Sequence, residues 1–133
     1  MNQLPNITAM LRAQQVQALL LTNDAPESIQ YATGFGGLEG MVLITAAGKG
    51  FVLTDSRYIE AARARLTPLG FAVSVPPQGG PSAPALRALL EGEQITRLAF
   101  LAQCMSVQTH QRLTAALPDC TLEPLGEGLT RLR

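Results

Sequence analysis

The chain has no tryptophan, a single histidine (His110), two cysteines and three aspartates (Asp24, Asp55, Asp119) in 133 residues. Each scarcity excludes something. A pair of hydrolytic metal ions is held by several carboxylates and usually a histidine. The seven glutamates here are scattered over helix ends and loops without paired spacing, so no metal site is expected from this chain alone. Cys104 and Cys120 fit no CxxC pattern and read as a buried, reduced pair in a cytosolic protein. An excess of one charge is also missing: ten basic residues balance ten acidic ones. Nucleic acid or an anionic membrane would draw a basic stripe, so neither is expected as a partner. No apolar run approaches the ~20 residues of a membrane span. The N-terminus lacks the basic region, apolar run and small-residue cleavage site of a signal peptide. The expectation is a cytoplasmic protein.

What is present is apolar. Hydrophobic residues make up 47% and charged residues 15%, enough for one ordinary domain with a real core and too little charge for disorder. Helical spacing of Ile7, Met10 and Leu11 follows Pro5 and Asn6, with Asn6 as the expected cap. Val16 to Thr22 reads as a buried strand, and Glu27 to Tyr31 as a short helical turn. Gly40–Thr45 and Gly50–Thr54 are apolar strands joined by Ala46-Ala-Gly-Lys49, an antiparallel hairpin. Ser56 to Leu66 forms an amphipathic helix with Ile59, Ala62 and Leu66 on one face, stopped at Gly70. Then follow a strand over Phe71–Val75, a loop over Pro76–Pro84 and a helix over Ala85–Leu90. A strand over Arg97–Leu101, a helix over Ser106–Leu117 and a short strand over Thr121–Glu123 complete the pattern. Such alternation predicts an α/β sandwich on a partly parallel sheet, which the hairpin makes mixed. Residues 126–133 read as the start of a connection.

Gly34, Gly36, Gly37 and Gly40 crowd one loop. They do not match GxxxxGK[ST], and the loop leads into a strand, whereas a dinucleotide loop opens a helix. The glycines therefore let the backbone turn sharply and approach something closely. Asp55 or Ser56 is expected to cap the following helix. Arg57, a cation in its first turn, calls for a carboxylate from Asp55 or a neighbouring subunit. His110 shares a helical face with Val107, Leu113 and Leu117, which favours a structural role over that of a general base.

Tyr31-Ala-Thr-Gly-Phe35 and Thr54-Asp-Ser-Arg-Tyr58, on these elements and in this order, resemble the N-terminal domain of the creatinase/prolidase/aminopeptidase P family. The resemblance spans essentially the whole chain and is most specific between Asn23 and Ala62. It implies a three-layer α/β sandwich with a six-stranded, ribonuclease-H-like mixed sheet. It also implies a C-terminal "pita-bread" domain beyond this chain, holding two divalent metals (Mn, Co or Zn) and cleaving bonds next to proline. Residues 1–133 are then one N-terminal domain without catalytic residues of its own, and 126–133 begin the linker.

The same resemblance implies a homodimer and places the loop Phe35, Gly36, Gly37, Leu38, Glu39 and Gly40 near the active-site entrance, with Asp55, Arg57 and Tyr58 as structural or interface residues. Glu39 could meet a peptide's free amine there, or simply face solvent. Two other readings stay open at the level of sequence. The parent could be a metal-free creatinase-like amidinohydrolase, or the chain could be a stand-alone α/β interaction domain.

Overall fold

The computed structural model describes residues 3–75 and 83–125. Six strands form a single sheet: β1 (Ala18–Leu21), β2 (Gly40–Thr45), β3 (Gly50–Thr54), β4 (Phe71–Ser74), β5 (Arg97–Leu101) and β6 (Thr121–Leu125). Their spatial order is β4-β3-β2-β1-β5-β6. β2 is antiparallel to both of its neighbours, and the other pairs are parallel. β2 alone therefore runs against the rest. Its first residue lies at the edge where β1, β3 and β5 end.

Five helices sandwich the sheet: α1 (Leu4–Ala13), α2 (Pro26–Thr33), α3 (Ile59–Leu66), α4 (Ala83–Gly92) and α5 (Val107–Ala116). On one face Ile7 and Leu11 of α1, Ile29 of α2 and Leu66 of α3 pack on Leu19, Leu21, Val42 and Val52. On the other, Leu86 and Leu90 of α4 and Leu113 of α5 pack on Ala18, Leu20, Leu43 and Leu98. Successive β1 residues thus enter opposite cores. A strand covered on both faces reads as a continuous apolar run rather than an alternating one, and all four β1 residues are buried. The mixed six-stranded α/β sandwich is as expected.

Several boundaries differ from the sequence reading. Asn6 is not a cap: α1 starts at Leu4 behind Gln3, and Asn6 donates from Nδ2 to Gln3 Oε1 at 2.9 Å. Pro5, whose missing N–H costs nothing in a first turn, allows the earlier start. The helix expected from Ser56 begins at Ile59 without a side-chain cap. Asp55 Oδ1 instead accepts the Arg57 N–H at 2.9 Å, and Asp55 O accepts the Tyr58 N–H at 3.2 Å. A short acidic side chain closing on the backbone two residues ahead makes a turn and holds back the helix.

Ala83 and Pro84 belong to the first turn of α4, where proline is tolerated, and the rest of the expected 76–84 loop lies outside the described residues. So does the connection at 126–133. β6 runs on to Leu125 because Pro124, lacking an N–H, is admissible on an edge strand. The cysteines are not a buried pair: Cys104 is exposed and Cys120 half-buried, both free. Burial pushes the Cys120 thiol up, and the nearby Asp119 and Glu91 charges add to this. Val107, placed on the inward stripe of α5, is 73% exposed. It sits in the first turn of α5, while Leu113 stays inward. His110 packs on the Phe100 ring, centroids 5.1 Å apart, a structural role.

Candidate functional site

The glycine-rich loop starts as the end of α2. Thr33 Oγ1 donates to Ile29 O at 2.7 Å and accepts the Phe35 N–H at 3.1 Å. Gly34 then takes the left-handed conformation (φ 73°) and its N–H closes the helix on Gln30 O, a glycine C-terminal cap. Tyr31 Oη donates to Gln3 Oε1 at 3.1 Å, tying this helix to the start of α1. Arg65 of α3 donates to Gly34 O at 3.0 Å and lies 4.8 Å from the centre of the Phe35 ring. A guanidinium at the negative end of a helix and over an aromatic face is doubly favoured. Tyr31, Thr33, Gly34 and Phe35 therefore anchor the loop.

Of the six loop residues, Phe35, Leu38 and Gly40 are buried, whereas Gly36, Gly37 and Glu39 face solvent. Gly40 is where backbone meets backbone. Its φ is 155°, and a Cβ there would overlap the carbonyl oxygen of Leu53 on β3. Its N–H donates to Asn23 Oδ1 at 2.9 Å. Thr54 Oγ1 donates to Glu39 O at 2.8 Å. The loop is thus latched to the ends of β1 and β3, and Thr54 brings the second motif against the loop that follows the first.

The outcome is an exposed ion cluster. Arg57 Nη2 lies 2.8 Å from Glu39 Oε2 and 2.7 Å from Asp55 Oδ2, and the Arg57 guanidinium carbon is 5.1 Å from the Tyr58 ring centre. The carboxylate partner that Arg57 calls for is Asp55, with Glu39 as a second. The Arg57 side-chain hydrogen bond holds the Asp55 carboxyl below its usual range, while the Asp55 and Glu39 bonds raise the guanidinium further. Two carboxylates and one guanidinium leave the cluster with a net charge of −1. Open to solvent, such pairs add little to stability.

Among the described residues no group of three or more His, Cys, Asp or Glu could hold a metal ion. Asp55 and Glu39 converge on Arg57, whose charge would repel a divalent cation. A two-metal centre does not fit these residues. The Asn23 latch, the Thr54 bond and Arg65 were not singled out from sequence; Asn23, directly after an apolar run, was the one signal that could have pointed to a latch.

The model of the Creatinase/Prolidase N-terminal domain family matches residues 3–133. Among solved structures, the chain is 27% identical to an aminopeptidase P from Streptococcus thermophilus, with a TM-score of 0.84, covering 98% of this chain and 95% of that one. It is 30% identical to an Xaa-Pro aminopeptidase from Streptococcus pyogenes, also with a TM-score of 0.84 and the same coverage. An Xaa-Pro dipeptidase from Bacillus anthracis, 21% identical with a TM-score of 0.85, shares the fold; 98% of this chain matches 35% of that one. Curated protein sequences give no match. No helix among the described residues is long and apolar enough to cross a membrane. With the family model spanning all but the first two residues, the chain belongs to the creatinase/prolidase N-terminal domain family.

Proposed function

We propose that the chain is the non-catalytic N-terminal domain of a metal-dependent Xaa-Pro peptidase, an aminopeptidase P or a proline dipeptidase. In this proposal it contributes to a homodimer and shapes the entrance through which proline-containing peptides reach the active site. The two divalent ions, Mn, Co or Zn, and the catalytic residues belong to a C-terminal domain. The observation that carries the reading is the Glu39–Arg57–Asp55 cluster, held between the glycine-rich loop and the turn that follows β3. A fixed, exposed, net negative surface can orient a neighbouring domain or a peptide's ammonium group without taking part in bond cleavage. The two free thiols, Cys104 and Cys120, support a cytoplasmic setting.

Two measurements test this. The 133-residue chain incubated with manganese should leave Gly-Pro and Xaa-Pro peptides intact, and metal-dependent turnover would overturn the proposal. In the peptidase that carries this domain, Arg57→Ala should raise KM with little change in kcat, because an entrance residue acts before chemistry. Its effect on folding stability should be small, as for an exposed ion pair. Unchanged kinetics would remove the entrance role.

A further inference from the structure

Gly40 also borders a cleft of about 470 Å³, lined with it by Thr22, Asn23, Asp24, Thr109 and Arg112. The cleft opens beyond the carboxyl end of β1. It lies on the face of the sheet that α4 and α5 cover, against the start of β2. Its volume lies in the range of small-molecule sites.

Its side chains are unevenly satisfied. Ten Lys and Arg occur in the chain. Two of them, Arg131 and Arg133, lie outside the described residues, leaving eight. Seven of these make a hydrogen bond or ion pair: Arg12, Lys49, Arg57, Arg63, Arg65, Arg87 and Arg97. Arg112 is the one described cation with neither. It stands one helical turn from Thr109, on the side of α5 that faces the cleft. Asn23 gives its Oδ1 to the Gly40 N–H, which leaves Nδ2 as a donor with no partner among the described residues. Asp24 is anchored by the Ser106 N–H on Oδ2 at 2.9 Å. Arg112 acts on it through space, without an ion pair between them.

We propose that this cleft binds an amino acid or dipeptide as a zwitterion. Arg112 and the Asn23 Nδ2 amide hold the carboxylate, and Asp24 faces the ammonium. A carboxylate matches a planar guanidinium fork. The opposed Asp24 charge disfavours an anion that brings no positive charge of its own, inorganic phosphate above all. The site needs neither Glu39, Arg57 nor another domain, so it stands or falls apart from the entrance role.

The test is a backbone-amide NMR titration of the chain with L-proline, Gly-Pro, acetate and inorganic phosphate. L-Proline or Gly-Pro should shift Asn23, Thr109 and Arg112 with a Kd near millimolar. Arg112→Gln should weaken this by about tenfold or more, the loss of one charge-assisted contact. Asn23→Asp keeps the acceptor for the Gly40 N–H but removes the amide donor, so it should weaken binding while the rest of the spectrum stays unchanged. No shift with any of the four ligands would overturn the proposal. So would phosphate or acetate binding as tightly as the zwitterions, or full affinity in Arg112→Gln.

Discussion

Thr8 is poorly served by the fold. It is 6% exposed on α1, and its Oγ1 is buried without a hydrogen-bond partner among the described residues. An unmet buried hydroxyl costs on the order of 1–3 kcal/mol, and an apolar group of the same shape removes that cost. Thr8→Val should therefore stabilise the chain by about 1 kcal/mol, seen as a rise of a few degrees in Tm; a lower Tm would contradict the burial. Gly40 is the opposite case. Any Cβ there meets the Leu53 carbonyl, so Gly40→Ala should cost about 3 kcal/mol or more. Urea midpoints measure it, and an unchanged midpoint would show that β2 can move away from β3. At this scale sequence was a partial guide. The crowding of glycines was visible, yet which one faces another backbone depends on β3, distant along the chain.

Among the elements, α5 is fastened at its start by a charged group. Ser106 Oγ accepts the Thr109 N–H at 3.0 Å, and Asp24, which follows β1, accepts the Ser106 N–H. That backbone bond, with help from Thr109 and Arg112, holds the Asp24 carboxyl below its ordinary range. A carboxylate with a depressed folded-state pKa stabilises the fold above its unfolded value, near 3.9, and this is lost as pH falls through the lower folded value. Asp24→Asn should thus be less stable than the parent at neutral pH, and the gap should close as pH drops below about 4. Denaturation midpoints across that range decide it; a gap independent of pH would assign the loss to packing. Helices and strands themselves were legible, because apolar spacing reflects a core-facing stripe. Their ends were less so. Asp55 closes a turn where a cap was expected, and side-chain choices between turn and helix depend on which backbone N–H groups the neighbours leave free.

The whole molecule shares one sheet between two cores. Leu19 and Leu21 enter the first and Ala18 and Leu20 the second, so the two cores should unfold together. Far-UV circular dichroism reports all helices, while Tyr31 and Tyr58 pack against the first core and emit without tryptophan interference. The two signals should give one coincident unfolding transition; separated midpoints would mean that α4 and α5 melt alone. Composition and periodicity determined the α/β class, the hairpin and the poverty of catalytic groups, since burial imposes its pattern on neighbouring residues of the chain. The signature segments determined the family. Tertiary structure alone decided that Glu39 reaches Arg57, that Asn23 latches Gly40, and that Arg112 faces a cleft beside Asp24. Those residues lie far apart in sequence, and only the order of strands across the sheet brings them together.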